Sequence, residues 1–428
     1  MIDIKLIRQN AEAVKQLIID KRSKNTDVDR ILELDAQRRD LQTQIDGLKS
    51  DQKKAGNTPE WITLAKEIKI KIQALQEQYD AIDPELTALL KALPNWYSDD
   101  TPIGKDDSEN KVIKQRGQPR EFSFTPKDQE ELLTNLGCLD RERAVKIAGA
   151  RFVYLLGDIV MLQQAIISWT YATLTNQSVI QKIIGDWGLS VSDKVFTLAL
   201  PPIIMKREMM DRMGRYNPND TTYELKLDDM VLIASAEHSL GPIYADEIIQ
   251  ASELPIRFLW FSPAFRREAG TYGKDSRGTF RLHQFDKLEM ETFTTPDAGL
   301  AEHHFLVAVQ EYLTQQLDLP YQLVIACTGD MGDPDFRHVD LETWIPSQNT
   351  YRETHSADFM TDFQSRRLNT RVKLSSGNEF VSMNDATAFA MSRTLVAICE
   401  NYQQEDGSIH IPEVLVPYMW GKEFIGKQ

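Results

Sequence analysis

Between residues 27 and 93 the chain carries one pattern twice and little else. In "DRILELDAQRRDLQTQIDGLKS", Leu34, Leu41, Ile45 and Leu48 follow one another at steps of seven, four and three. After "KKAGNTPE", Trp61, Leu64, Ile68, Ile72, Leu75, Tyr79, Ile82, Leu86 and Leu89 continue at steps of three and four. Each segment has one narrow apolar stripe between charged flanks, so each specifies a helix with a single seam to bury. Gly56-Asn57 and Pro59 supply a turn and Thr58 an N-cap, which together predict an antiparallel helical hairpin. At 1.5 Å per residue this arm is about 40–50 Å long, and with one seam to bury it projects into solvent. Lys49, Lys53, Lys54, Lys66, Lys69 and Lys71 surround its distal half. They suit a solvated coiled-coil face first; the sharper reading, a lever that touches nucleic-acid backbone, needs support from the other domain.

Composition narrows what the arm serves. An apolar fraction of 42% and a charged fraction of 26% over 428 residues suit an ordinary globular protein of two or three domains. No apolar run is long enough to predict a membrane-spanning helix. The opening "MIDIKLIRQNAEAVKQLIIDKRSK" has charges through its apolar positions and no cleavage pattern, so a cytoplasmic protein is expected. Cys138, Cys327 and Cys399 are scattered and form no Cys-x-x-Cys pair, which predicts buried thiols and no zinc site. His303, His304 and His338 have no metal-like partners in sequence and read as ordinary helix or loop residues. The formal net charge of −15 opposes non-specific DNA binding but permits RNA on a local basic patch.

Residues 94–120 are polar, Pro-containing and aperiodic, and predict a linker whose core is 101–120. It separates an N-terminal domain, 1–100, from a C-terminal domain, 121–428. From residue 121 onward short apolar runs alternate with helical patterns without a regular strand–helix–strand rhythm. The expected fold class is therefore α+β: a long helical hairpin followed by a mostly antiparallel sheet flanked by helices.

Four stretches concentrate chemistry. In "FRREAGTYGKDSRGTFRLHQFDKLEME" the Gly-x4-Gly-Lys-Ser/Thr phosphate loop is missing. Instead, two strands flank a mobile loop containing Gly270, Gly273, Lys274, Arg277 and Gly278. Strand periodicity puts Arg266 with Glu268, and Arg281 with His283, Phe285, Lys287, Glu289 and Glu291, on one face each. Such a face is too polar for a core, and arginines beside an aromatic can hold a phosphate and stack a base. In "SMNDATAFAMSRTLVAICENYQ" a strand end gives way to small residues and an apolar helix in which Arg393 requires an anion. In "DLETWIPSQNTYRETHSADFMTDFQSRRLNTR" a strand-like Trp344–Pro346 precedes a loop centred on Glu353. Glu353 and Ser356, three apart, could offer two oxygens to magnesium. "VLIASAEHSL" ends a strand at Ser235-Ala236-Glu237, where a ligand could sit.

Taken together, "FRREAG…RGTFRLHQFDKLE", "ETWIPSQNTYRE" and "SRTLVAICENYQ" resemble motifs 2 and 3 of class II aminoacyl-tRNA synthetases. With "GARF", "CTGDMG" and the preceding arm in order, nearly the whole chain is similar to the bacterial-type seryl-tRNA synthetases. The resemblance implies an ATP-dependent serine–tRNA ligase using magnesium, with L-serine, ATP and tRNA(Ser) as partners, and tRNA(Sec) where present. It also implies a homodimer whose arm grips tRNA bound at the other subunit's site. By the same resemblance Arg266 holds the α-phosphate, Arg393 the γ-phosphate and Arg281 the bent triphosphate, while Phe285 stacks on adenine and Glu268 reads its amino group. Glu353 and Ser356 hold the metal. Ser235, Glu237, Arg266, Glu289, Asp385 and Thr387 surround serine.

Four departures from the family pattern stand out. Ser235 replaces a threonine, Asp385 an asparagine, and "THSADFMTDFQ" a serine- and cysteine-rich segment. Residues 178–200 are long before Pro201-Pro202, so the position of the motif 1 strand stays open. Two other readings compete: a paralogue that loads a carrier protein, opposed by the retained arm, and a silent RNA-binding paralogue, opposed by the intact Arg266, Glu268, Phe285, Glu353 and Arg393.

Overall fold

The computed structural model of the protein describes residues 1–23, 26–54, 59–219, 221–268 and 279–426. Two short helices, Ile4–Gln9 and Ala11–Asp20, open the chain, and the side chains of Asp3 and Asn10 cap them. They pack on the base of the arm, whose helices are Val28–Lys54 and Pro59–Ala92. Ile7, Val14, Leu17, Ile31, Leu34 and Leu86 form the core of that base. Farther out the seam thins to Ile45 and Ile68. Trp61 and Leu64, expected in the stripe, are 39% and 41% exposed, because two helices alone have no third surface to cover them. Lys49, Lys53, Lys66, Lys69 and Lys71 are exposed. The Lys54 side chain and the expected turn at Gly56, Asn57 and Thr58 lie outside the described residues.

The C-terminal part is built on an eight-stranded sheet. In chain order its strands are β1 (Lys111–Arg116), β2 (Thr197–Ala199), β3 (Ile256–Phe265), β4 (Gln284–Thr294), β5 (Tyr321–Ile325), β6 (Arg337–Ile345), β7 (Thr350–Thr361) and β8 (Ser382–Ala390). Across the sheet they run β1-β5-β6-β7-β8-β4-β3-β2. Every neighbouring pair is antiparallel except β2 with β3. The fold class is thus α+β with an antiparallel-dominated sheet. β1 falls inside the segment expected to be a linker, and lines the sheet edge with all six residues exposed. β2 stands just before Pro201 and follows a helix, Gln177–Asp186, which together account for the long 178–200 region.

One sheet face is covered by the helices Asp158–Leu174, Gly299–Gln316 and Met391–Tyr402. In β4, Leu288 and Met290 enter that core while Lys287, Glu289 and Glu291 alternate onto the opposite face. The alternation delivers charge to one face without disturbing the other. The N-terminal part is pinned to the sheet domain: Lys21 Nζ donates to Gly332 O at 3.0 Å and Asp335 O at 2.7 Å. Asn95 Nδ2 donates to Pro334 O and Met360 O, both at 2.9 Å.

Candidate active site

The polar face is organised as rows across strands. Thr387 of β8 stands opposite Glu289 of β4, and Asp385 opposite Glu291 and Asp358. Two register shifts shape this face. One in the β6–β7 pairing, beside Leu341 and Glu342, falls between Glu353 and His355. Residues three apart on a regular strand point to opposite sides, yet this bulge lets Glu353 and Ser356 line the same cleft. The other shift skips Ala388 in β8. Glu353 lies on strand β7, not in the loop expected from the sequence, and the small residues from Ala386 onward continue β8 to Ala390.

At the nucleotide-like end, Arg266 follows β3 directly, and its Nε donates to Ala234 O at 2.9 Å. Its guanidinium carbon lies 5.3 Å from the Phe285 ring centroid, close enough for a cation–π contact. Arg281 sits in irregular chain before β4, because the strand begins only at Gln284. It still reaches the same cleft, donating to Glu268 Oε2 at 2.7 Å. Glu268 itself holds a left-handed backbone with φ of 52°. Arg393 is in the first turn of the helix Met391–Tyr402, and meets Glu353 Oε1 at 2.8 Å and Glu353 O at 3.1 Å. Burial pushes the Glu353 carboxyl up, but the combined charges of Arg393, His338 and Arg266 bring it below its ordinary value. The loop residues Gly270, Gly273, Lys274, Arg277 and Gly278 lie outside the described residues.

At the other end, Ser235 is in a turn beyond the short strand Met230–Leu232 instead of ending it. Lys287 Nζ is the hub: it donates to Ser235 Oγ at 2.9 Å, pairs with Glu289 at 2.6 Å and lies 3.8 Å from Glu237. Periodicity placed Lys287 on this face, but nothing in the spacing marked it as the cation between two acids. Burial pushes the Glu289 carboxyl up to about 8, although Lys287 pulls the other way. Burial also opposes ionisation of Glu237, yet Lys287, His238 and Arg215 take it down to about 2. One carboxylate is therefore kept charged and its neighbour is held near neutrality, a division typical of sites that manage a cation and a proton. Ser356 Oγ and Thr387 Oγ1 are 3.3 Å apart between the two ends.

Beneath these groups lies an ion network that the sequence did not reveal. Arg215 stands 3.7 Å from Asp335 and 3.8 Å from Asp385. His338, expected in an ordinary helix or loop setting, is on β6, with Nδ1 against Asp358 and Nε2 3.0 Å from Asp340. Burial disfavours its charge, but Asp340 and Asp358 hold the imidazolium well above its ordinary value. Asp335, His338 and Asp358 offer ligand atoms within 4.8 Å of one another. With both ring nitrogens engaged by carboxylates and Arg215 alongside, the arrangement is that of a salt-bridge network. The available signal was the gathering of acids, Asp335 just before β6, Asp340 on it and Asp358 on β7.

The same chain matches two family models in sequence: the seryl-tRNA synthetase N-terminal domain over residues 1–97, and the class II tRNA synthetase core domain (G, H, P, S and T) over 222–402. A serine–tRNA ligase from Dictyoglomus turgidum is 38% identical over 433 aligned positions, covering 98% of each chain. Another from Petrotoga mobilis is 37% identical, with 100% of both chains covered. Among solved structures, seryl-tRNA synthetase from Pyrococcus horikoshii, complexed with ATP, superposes with a TM-score of 0.87 at 33% identity, covering 99% of each chain. This chain belongs to the seryl-tRNA synthetases, the serine–tRNA ligases built on the class II catalytic core.

Proposed function

We propose that the protein activates L-serine with ATP and passes it, as seryl-adenylate, to the 3′ end of tRNA(Ser), and of tRNA(Sec) where present. The observation that carries this reading is one cleft onto which Arg266, Arg281 and Arg393 open together with Phe285, Glu353 and Ser356. The ATP bound by the Pyrococcus relative supports the nucleotide end.

In the first step a serine carboxylate oxygen attacks the α-phosphorus in line, and the bond to pyrophosphate breaks. The attacking group is already an anion, so positioning and charge neutralisation dominate over proton transfer. Arg266 faces the α-phosphate and the serine carboxylate, Arg393 the γ-phosphate, and Arg281 the bent triphosphate between them. Phe285 stacks on adenine and Glu268 accepts from its amino group. Glu353 and Ser356 are hard oxygen donors on the same cleft and fit a magnesium ion, which when bound neutralises phosphate charge. Glu237 and Glu289 take the serine ammonium, with Ser235, Thr387 and Asp385 around the side chain. The tRNA hydroxyl then attacks the adenylate carbonyl and AMP leaves. An alanine side chain would leave these buried polar groups without partners, which is a strong basis for rejecting it.

The chain divides by function near residues 100–120: residues 1–100, with the arm at about 27–93, hold tRNA, and 121–428 catalyse. Because Lys21 and Asn95 fix the arm base to the catalytic part, the arm has a set direction for reaching tRNA at a partner subunit of a cytoplasmic homodimer. ATP–pyrophosphate exchange without tRNA tests the assignment. Serine should stimulate it above every other amino acid, and a panel showing no serine preference would sink the reading.

A further inference from the structure

On the sheet face that carries Thr387 and Glu289, one two-residue step along the strands brings up Asp385 and Glu291, opposite each other across β8 and β4. That step is about 7 Å. Glu291 is fully buried, and neither of its carboxyl oxygens has a hydrogen-bond partner among the described residues. Asp385 is 3% exposed; it shares a hydrogen bond with Asp358, and its Oδ2 has no hydrogen-bond partner among the described residues. Arg215, 3.8 Å from that oxygen, is beyond normal hydrogen-bond length. Buried carboxyl oxygens left in this state are costly, so a donor that reaches them gains more than the ordinary value of a hydrogen bond.

Serine's hydroxyl brings one donor hydrogen, whereas a protonated amine brings three. We propose that Asp385 and Glu291 form a subsite for a side-chain amine, so that the short diamino acid L-2,3-diaminopropionate is a second substrate of the adenylation site. This rests on the reading that the site activates serine. The bond changes are the same: a carboxylate oxygen of the diamino acid bonds to the α-phosphorus, pyrophosphate departs with the electron pair of the broken P–O bond, and both amines are unchanged.

The charges around the subsite favour a cation. Arg215, Lys287 and His338 are the positive groups nearby: Lys287 faces Glu289 and Glu237, His338 faces Asp340 and Asp358, and Arg215 is shared at longer range between Asp335 and Asp385. Acids outnumber cations, with Asp385 holding a share of one and Glu291 forming no ion pair among the described residues. Burial, joined by Glu237 and Glu289, pushes Glu291 up; burial, joined by Asp358 and Glu237, does the same for Asp385. An arriving ammonium would replace the protons they hold.

The test is ATP–pyrophosphate exchange by the full chain with L-serine, L-2,3-diaminopropionate and L-alanine in parallel. Exchange with serine and the diamino acid, but not with alanine, is expected. Glu291→Gln and Asp385→Asn should each lower kcat/KM for the diamino acid about tenfold more than for serine. If the diamino acid does no better than alanine while serine works, the subsite is refuted and the serine reading stands. Equal losses for both substrates in the variants would also overturn it, since the two carboxyls would then only support the fold. Absence of exchange with serine would instead overturn the serine reading. The wild-type comparison holds even where a variant fails to fold.

Discussion

Arg393 shows what one side chain contributes and how far its role could be read in advance. An arginine in an apolar helix demanded an anion, and the structure supplies Glu353 at 2.8 Å. Arg393→Ala should therefore cost ATP use about 2–4 kcal/mol in transition-state stabilisation, measured as kcat/KM for ATP in exchange. Unaltered exchange kinetics would mark the residue as structural. Lys287 was legible only as a position on a face. Its partners, Ser235 and Glu237, come from a turn and the short helix after it, far away in sequence, and periodicity carries no information about such a meeting. Lys287→Met should leave Glu289 and Glu237 buried without their cation, destabilising the fold by about 3–5 kcal/mol and raising KM for serine. Urea unfolding together with serine titration checks both effects, and an unchanged serine KM would remove Lys287 from the amino acid site. Arg215 was wholly hidden, because chain path and not spacing brings it to Asp335 and Asp385.

At the scale of elements, the arm was the clearest text in the sequence. A stripe three or four residues apart defines a helix, and two stripes joined by a turn define the hairpin. Its outer end differed, with Trp61 and Leu64 exposed, because a stripe reports what could be buried and not whether a partner surface exists. The bulges were illegible: an inserted residue in β7 changes which side chains share a face, while the local sequence still alternates plausibly. Leu34 and Leu86 belong to the base core, so a useful truncation should remove the arm between about residues 40 and 80 and keep its root. Such a variant should retain serine-dependent exchange and lose tRNA charging. Charging at the full rate would refute the arm's role. Glutamate in place of Lys49, Lys53, Lys66, Lys69 and Lys71 should weaken tRNA binding and flatten its salt dependence.

For the whole molecule, fold class followed from irregular alternation of short apolar runs, whereas the docking of the two parts did not. Lys21 and Asn95 act through backbone carbonyls of residues 332–335 and of Met360 in β7, which leave no mark in the sequence. Stability should carry a pH signature from buried histidines. Burial brings His238 down to about 4 and His303 down to about 3. Both take up protons more readily when unfolded, near their ordinary value of about 6.5. Their contribution is full above that pH and is lost as pH falls through the folded values. The buried acids Glu289, Glu291 and Asp385, held up in the fold, act in the opposite sense, so the histidine share is read as a difference: between about pH 7 and pH 5 the urea midpoint of His303→Gln should fall less, or rise more, than that of the unaltered chain. An identical slope in the variant would show that His303 is not responsible.

A serine–tRNA ligase with this cleft should charge tRNA with serine. Its most direct measurement is aminoacylation by the full chain, with ATP and magnesium, of tRNA(Ser) offered each of the common amino acids separately. Serine should be attached to the 3′ end, with loss of charging in Arg393→Ala. Charging with a different amino acid, or undiminished charging by that variant, would contradict it.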